Sequence, residues 1–167
     1  QTLAVFTAAF GDTVAVFHSG LSVGERMDEW KRVRTGRAKI VVGTRSAVFA
    51  PVQNLGLIVM DEEQESTYKS ESTPRYHARD IAKFRVNYNR AYCLLCSATP
   101  SVESYYMAQS GKYRYHALHH RYGDAVVPTV QLVDMNNEDL YRGKPMISMA
   151  LARAVSENIR AGRQSIL

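Results

Sequence analysis

Cysteine is scarce in this sequence: Cys93 and Cys96 are the only two among 167 residues. Small secreted domains that depend on disulfides carry many more. The two form a C-x-x-C, the spacing of a redox or zinc pair, but no second pair follows to complete a zinc site. Residues 91–96 have the composition of a buried strand, in which an offset of three places the two thiols on opposite faces. We interpret both as core cysteines of a protein from a reducing, cytoplasmic compartment.

Long apolar runs are also missing. No stretch reaches the ~18 residues that a membrane span needs, and no signal peptide is visible. We therefore expect no membrane partner. A hydrophobic fraction of 46% and a charged fraction of 22% are typical of a folded domain with its own core. Residue 1 is Gln, and residues 164–167 have the pattern of a new apolar strand that has only begun, so we expect a piece of a larger protein.

Acidic residues are the minority charge, 16 against 21 basic ones, which gives a net charge of +5. The basic excess is concentrated in two stretches, 26–45 and 69–90, and the first holds seven basic residues against two acidic ones. Clustered Lys and Arg favour a polyanionic partner such as nucleic acid. The alternative is that these residues are ordinary solvated helix faces.

Strand and helix patterns alternate along most of the chain, which predicts an α/β fold with a parallel, doubly wound sheet. Strands are predicted at 14–17, 39–42, 57–60, 91–96 and 130–133. Helices are predicted at 23–35, 76–88, 102–109 and 149–161. Ser22 with Glu25 has the spacing of a capping box, and Ser101 and Ser148 are predicted N-caps. In the first helix, Val23, Met27, Trp30 and Val33 lie at offsets of three and four and are predicted to share one face.

Four apolar residues, Leu57–Met60, lead directly into the acidic sequence Asp61-Glu62-Glu63-Gln64. The apolar run predicts a strand buried on both faces. Because ligands bind at the carboxyl ends of parallel strands, three acids there favour a bound cation, and Mg²⁺ bridged to phosphates fits best. Asp61 would then lie in the magnesium shell and Glu62 would polarise the attacking water. The alternative is a strand followed by a solvated acidic turn.

Three loops follow three successive predicted strands: Gly43–Ser46, Asp61–Gln64 and Ser97–Ser101. In a parallel sheet all three emerge at one edge. Gly43 would let the backbone approach a ligand closely, with Thr44, Arg45 and Ser46 contacting phosphate oxygens. Ser97 and Thr99 offer hydroxyls beside the acids. The alternatives are a polar turn and a helix cap.

Five short motifs occur in order along the chain. They are residues 18–26 (His-Ser-Gly-Leu-Ser-Val-Gly-Glu-Arg), 42–47 (Val-Gly-Thr-Arg-Ser-Ala), 61–69 (Asp-Glu-Glu-Gln through Tyr-Lys), 74–80 (Pro-Arg-Tyr-His-Ala-Arg-Asp) and 97–104 (Ser-Ala-Thr-Pro-Ser-Val-Glu-Ser). Together they closely resemble the PriA family of bacterial replication-restart DNA helicases, within helicase superfamily 2. The resemblance covers nearly the whole chain. It implies a RecA-like helicase lobe of the P-loop NTPase class at 1–111, a linker at 112–145 and the start of a second lobe at 146–167.

The resemblance also implies roles for particular residues. The catalytic set is Asp61, Glu62, Glu63 and Gln64, with Asp61 holding Mg²⁺ through water. The set that couples hydrolysis to DNA movement is Ser97, Ala98 and Thr99. The set that contacts DNA is Gly43, Thr44, Arg45, Ser46, Tyr68, Lys69, Arg75 and Tyr76. The last four belong to an aromatic-rich loop, 66–79, where rings would stack on unpaired bases and cations would pair with phosphates.

The activity implied is that of an ATP- and Mg²⁺-dependent 3′–5′ DNA helicase that remodels stalled or forked DNA and assembles a primosome. Implied partners are single-stranded and forked DNA, single-stranded-DNA-binding protein and primosome loader proteins. Zn²⁺ would belong to the longer parent only, with its ligands outside this chain. No Gly-x-x-x-x-Gly-Lys-Ser/Thr phosphate loop occurs in the sequence, so we expect the chain alone to hydrolyse little or no ATP.

Two substitutions depart from the family pattern. Gln64 stands where the family usually has His, so it can bridge by hydrogen bonds but cannot carry charge. Cys96 stands where the family often has Gly. Other functions stay open: another superfamily 2 translocase, a nucleic-acid-binding module without ATPase activity, or a nuclease using Asp61, Glu62 and Glu63 with a metal ion. His116, His119 and His120 form an irregularly spaced cluster that we interpret as linker residues.

Overall fold

The computed structural model describes residues 2–119, 128–136, 141 and 146–167. Its strands are β1 (Val14–Phe17), β2 (Ile40–Gly43), β3 (Leu57–Met60) and β4 (Tyr92–Leu95). Its helices are α1 (Thr2–Phe10), α2 (Val23–Arg34), α3 (Ala78–Asn89), α4 (Val102–Gln109) and α5 (Met149–Arg160). Short 3-10 turns occupy Gly11–Thr13, Arg45–Phe49 and Ser66–Tyr68. The predicted alternation of strands and helices is therefore confirmed, and α1 is an element that no sequence pattern indicated.

The four strands form two parallel pairs. β1 pairs with β2, with Val14 opposite Ile40, and β3 pairs with β4, with Leu57 opposite Tyr92. Each pair is a strand–helix–strand unit, through α2 in the first and α3 in the second. A helical crossover is the usual connection between two parallel strands.

Local signals set the helix ends. The capping box at α2 is confirmed: the Ser22 backbone N–H donates to Glu25 Oε2 at 2.8 Å, and the Glu25 backbone N–H donates to Ser22 Oγ at 3.3 Å. Ser101 and Ser148 cap α4 and α5 as predicted. α3 begins two residues later than predicted, because His77 takes the N-cap position and its Nδ1 accepts the Arg79 backbone N–H at 3.2 Å.

Each strand pair has a small core of its own. The first consists of Ala15, Phe17, Val33, Ala38 and Ala50, with Trp30 packed against it. The second consists of Met60, Ala78 and Ala82, with Ile58, Cys93 and Leu95 among the side chains packed against it. The four apolar residues predicted to share one face of α2 differ in burial. Val33 is buried, but Val23 and Met27 near its N-terminus are exposed.

The prediction that β3 is buried on both faces is wrong. Ile58 and Met60 pack toward α3, whereas Leu57 and Val59 are 54% and 53% exposed. Alternate residues of a strand point to opposite faces, so α3 covers one face and no other described residue covers the second. Tyr92 and Leu94 of β4 continue this exposed apolar face.

Both cysteines are free thiols. Cys93 packs with the second core, as predicted, while Cys96 follows β4 at its carboxyl end and is half-buried. Burial raises the pKa of each thiol. Within the described ranges, no three His, Cys, Asp or Glu side chains form a group that could hold a metal ion, and His120 lies outside those ranges.

The chain divides into two compact units, Gln1–His116 and Ala117–Leu167. In the second unit, the predicted strand at 130–133 is wrong: Val130 and Leu132 are exposed and have no strand partner among the described residues. Residues 164–167 likewise form no strand, and Ile166 is fully exposed. The division at 111 and 145 stays a prediction. None of the helices in the described part is long and apolar enough to cross a membrane.

Candidate functional site

The acidic segment forms a turn at the carboxyl end of β3. Asp61 and Glu62 are exposed, and the Glu62 backbone N–H donates to Asp61 Oδ1 at 3.1 Å. Glu62 has a φ of +49°, the left-handed region that residues with a side chain seldom adopt. A strained residue of this kind costs about 1–3 kcal/mol and persists only where its surroundings hold it. The two exposed carboxylates offer the oxygen ligands that Mg²⁺ prefers.

Glu63 differs from its two neighbours, because its side chain is buried and engaged inside the protein. Its carboxylate pairs with Arg79 Nη1 at 2.9 Å and accepts the Ser101 backbone N–H at 2.7 Å. The hydroxyls of Ser101 and Ser104 lie 3.2 and 2.9 Å from Glu63 Oε2. Burial alone would raise the pKa of Glu63, but hydrogen bonds from Ser101, Ser104 and Arg79 outweigh it and hold that pKa below its ordinary value.

The three acids therefore do not converge on one cation. Asp61 and Glu62 face solvent, while Glu63 holds the beginnings of α3 and α4. This geometry disfavours the nuclease alternative, which needs all three carboxylates together. Glu63 as a catalytic residue stays a prediction, and its contacts are those of a residue that positions the turn.

Gln64 joins the acidic turn to the loop after β4. Its Nε2 donates to Glu62 Oε2 at 2.8 Å, and its Oε1 accepts the Ser97 hydroxyl at 2.5 Å. Ser97 Oγ also accepts the Thr99 backbone N–H at 2.9 Å, whereas the side chains of Ala98 and Thr99 are exposed. The amide supplies both the donor and the acceptor that this bridge requires. Two of the three predicted loops are thus in direct contact.

The loop after β2 meets the acidic turn across an open pocket of about 550 Å³. The lining residues are Ser19, Thr44, Arg45, Ser46, Asp61, Glu65, Thr67, Tyr68 and Tyr76. This set brings residues of the 43–46 loop, Asp61 and the aromatic-rich segment to one place. The pocket is wide, and its wall carries hydroxyls, one arginine, two carboxylates and two aromatic rings.

Arg45 holds the aromatic-rich segment in place. Its Nη1 donates to the carbonyls of Thr67 at 2.9 Å and Lys69 at 2.5 Å, and its guanidinium lies 5.9 Å from the centre of the Tyr76 ring. The rings of Tyr68 and Tyr76, which were predicted to stack on bases, are both partly packed inside the protein. The Tyr76 ring lies edge-on to Phe49, with 4.9 Å between ring centres. Base stacking by Tyr76 stays a prediction.

Tyr68 connects the same segment to the acidic turn. Its hydroxyl donates to the Asp61 carbonyl at 2.7 Å, and its ring packs against the second core. Burial, helped by the negative charge of Asp61, raises the pKa of Tyr68, so the hydroxyl stays a donor. Lys69 and Arg75 are exposed and available to an anion.

Gly43 has a reason within the fold to be a glycine. A Cβ at this position would lie 2.2 Å from the Phe17 carbonyl oxygen and 2.8 Å from Ala47 Cβ. The adjacent strand β1 therefore requires glycine here, whether or not a ligand approaches. Thr44 then donates its backbone N–H to the same Phe17 oxygen at 2.9 Å.

Comparison with known proteins identifies the family. A family model described as DEAD/DEAH box helicase matches residues 1–108. The chain belongs to the DEAD/DEAH box helicase family. The matched region covers the two strand pairs and the helices between them, so the α/β class with parallel strands is confirmed as a RecA-like helicase lobe. Helicases of this family use a nucleotide and Mg²⁺ and bind nucleic acid.

Individual relatives extend the similarity beyond residue 108. The chain is 46% identical to the replication restart protein PriA of Bacillus subtilis over 162 residues, which are 97% of this chain and 20% of that protein. It is 43% identical to PriA of Chlamydia trachomatis, over 100% of this chain and 22% of the relative. It is 40% identical to PriA of Treponema pallidum, over 100% of this chain and 25% of the relative. The chain thus spans about a fifth to a quarter of the length of these relatives, and resemblance to PriA is confirmed.

Sequence reasoning gave no separate role to Arg79 or Ser104. Both lie inside motifs that carried the family resemblance, and both contact Glu63. The serine pair at 101 and 104 was a visible signal, because a serine at the N-cap accepts the backbone N–H at N3, which brings the two residues together. Arg79 carried no such signal, since its partner is 16 residues away in sequence.

Proposed function

We propose that this chain is the part of a replication-restart DNA helicase that contains the acidic turn at 61–64 and the loops at 43–46 and 97–101, and that Glu62 is the base for ATP hydrolysis. The observation that carries the proposal is the Gln64 bridge, which links the Glu62 carboxylate to the Ser97 hydroxyl. A link between the hydrolytic acid and the loop that follows the next strand is what coupling hydrolysis to movement needs. Membership of the helicase family and the similarity to replication restart proteins PriA support the same function.

In this proposal each exposed group has one task. When bound, ATP would supply the transferable phosphoryl group and Mg²⁺ would neutralise charge on its phosphates. Asp61 would hold the metal ion, and Glu62 would orient and polarise the attacking water. Gln64 holds the Glu62 carboxylate through one hydrogen bond and connects it to the Ser97 hydroxyl through another. In phosphoryl transfer such positioning and electrostatic stabilisation account for most of the catalysis.

DNA binding is assigned to the pocket and its rim. Thr44, Arg45 and Ser46 lie on one side, and Lys69, Arg75 and Tyr76 belong to the facing segment. Backbone phosphates and unpaired bases are the groups that this mixture of hydroxyls, cations and rings accepts. The finer parts of the proposal follow the family: 3′–5′ movement, forked DNA as substrate, single-stranded-DNA-binding protein and loader proteins as partners, a cytoplasmic location, and Zn²⁺ elsewhere in the parent.

The test is ATP turnover by the full-length protein that contains this segment, with and without single-stranded DNA. Glu62→Gln keeps the size of the side chain and removes the base, so DNA-stimulated kcat should fall by about 10²-fold or more. The control is Glu71→Gln, which removes an exposed carboxylate from the segment that follows the acidic turn and should change kcat by less than about twofold. DNA binding without turnover in the natural protein would instead identify a binding module and reject the motor.

A further inference from the structure

Arg79 and Glu63 form an ion pair that the proposed chemistry does not use. Their side chains are 14% and 1% exposed, so the pair is almost entirely shielded from water. Arg79 belongs to the first turn of α3, and Glu63 lies in the turn after β3. The pair therefore joins the aromatic-rich segment, which leads directly into α3, to the acidic turn.

The hydrogen bonding of Arg79 is unbalanced. Nη1 alone serves three acceptors: Glu63 Oε2 at 2.9 Å, Ser101 Oγ at 2.7 Å and Ser104 Oγ at 3.0 Å. Its Nε is buried and has no partner among the described residues. A buried pair with an unsatisfied donor contributes little net stability compared with apolar packing. The role of this ion pair is therefore to fix the local geometry rather than to add stability.

That geometry centres on Glu62. The Tyr68 hydroxyl holds the Asp61 carbonyl on one side of it. On the other side, the Glu63 backbone N–H donates to the Cys96 carbonyl at 3.0 Å, and the Glu63 carboxylate is held by α3 and α4. Glu62 itself has the left-handed φ of +49°. Anchors on both sides are what a strained residue needs in order to keep its conformation.

We propose that Arg79 is a positioning residue for ATP hydrolysis, which locks Glu63 and thereby holds Glu62 in its left-handed conformation beside Gln64 and Ser97. The inference rests on the proposed function of Glu62. On this proposal the buried pair affects the chemical step through Glu62, without contact with nucleotide or DNA. The first turn of α3 then connects the aromatic-rich segment to Glu62.

The test uses the full-length protein and three arginine variants. Arg79→Gln should lower DNA-stimulated kcat by about tenfold or more while KM for ATP changes by less than about twofold, because a small misplacement of a catalytic group slows the chemical step. Arg79→Lys should recover most of the lost kcat, because one ammonium nitrogen has three donors for the three acceptors that Nη1 now serves. A residue that is needed only for folding would not lower kcat while leaving KM for ATP nearly unchanged.

Arg85→Gln is the matched control. Arg85 lies on the same helix, is half-buried, and donates Nη1 to the Val48 carbonyl, away from the acidic turn. It should lower the melting temperature while leaving kcat within about twofold. Equal losses of kcat in both variants, or natural kcat in Arg79→Gln, would overturn the inference.

A milder variant covers the case in which Arg79→Gln does not fold. Ser104→Ala removes one hydroxyl from Glu63 and leaves the ion pair, so it should lower kcat by about two- to fivefold at unchanged KM. Natural kcat in that variant would contradict the inference. The two hypotheses are separable: loss of turnover in Glu62→Gln with natural turnover in Arg79→Gln and Ser104→Ala rejects only the positioning role, whereas turnover that survives Glu62→Gln rejects the proposed function.

Discussion

Replacing Gly43 with alanine gives the sharpest test of the packing between β1 and β2. Phe17 and Gly43 are opposite each other in the register of the two strands. An added Cβ would lie 2.2 Å from the Phe17 carbonyl oxygen and 3.0 Å from its carbonyl carbon. Both are backbone atoms, so no side-chain rotation relieves the contact.

The size of the effect follows from what must move. Restoring a normal carbon–oxygen separation requires the strand ends to part by on the order of 1 Å. That movement breaks the hydrogen bond from the Thr44 N–H to the Phe17 carbonyl, now 2.9 Å long. The lost bond contributes about 1 kcal/mol and the overpacking costs about 1–3 kcal/mol. Gly43→Ala should therefore lower the free energy of unfolding by about 2–4 kcal/mol.

Urea denaturation of the chain measures this change. Trp30 is the only tryptophan and packs against the core that contains Phe17, so its fluorescence reports on this strand pair. The control is Gly24→Ala in α2, where a Cβ would meet nothing within 4 Å. Alanine in a helix should leave the free energy of unfolding unchanged or raise it by up to about 1 kcal/mol. A Gly43→Ala chain as stable as the natural one would refute the reasoning.

Four further outcomes are expected. Gln64→Ala should reduce the stimulation of ATP turnover by DNA in the full-length protein, and Gln64→His should keep it, because imidazole can also donate and accept; equal stimulation in all three would contradict the bridge. Ser22→Ala should lower the free energy of unfolding by about 1 kcal/mol in the urea assay, since it removes an N-cap. The lowered pKa of Glu63 means that its stabilisation is complete above its unfolded-state pKa and is lost as pH falls through the folded-state value; urea midpoints measured between about pH 7 and pH 3 should fall more steeply for the natural chain than for Glu63→Gln. Cys93 should react with iodoacetamide more slowly in the folded chain than in urea at the same pH, because burial raises its pKa; equal rates would show that the thiol is exposed.

Local structure was predictable wherever a short pattern determines it. The capping box at Ser22 and Glu25 and the caps at Ser101 and Ser148 need only residues three positions apart, and all three are confirmed. α1 escaped prediction because Thr2–Phe10 is apolar on every side and lacks a polar stripe to reveal a helical period. The prediction of a strand at 130–133 was wrong for a different reason. The composition of this segment suits a strand, but a strand also needs a partner strand, which a short-range pattern cannot reveal.

Burial was less predictable than secondary structure. An apolar run predicts that a strand can be buried, but Leu57 and Val59 are exposed because cover on each face has to come from distant elements. The candidate site shows the same division. The sequence predicted that three strand ends carry polar loops, and the Gln64 bridge and the pocket bring those loops together. The separate environments of Glu62 and Glu63 depended on partners 16 to 41 residues away.

The division of labour within the acidic turn has a physical cause. A carboxylate that is to bind a hydrated cation and polarise water must itself keep access to water, and Asp61 and Glu62 do. A loop that holds two such charges side by side, one of them on a left-handed backbone, needs an anchor that solvent does not weaken. Glu63 meets that need because its charge is neutralised by Arg79 and satisfied by two serine hydroxyls. Exposure and backbone conformation, which the sequence of three consecutive acids does not reveal, thus separate the acids suited to chemistry from the acid that supports them.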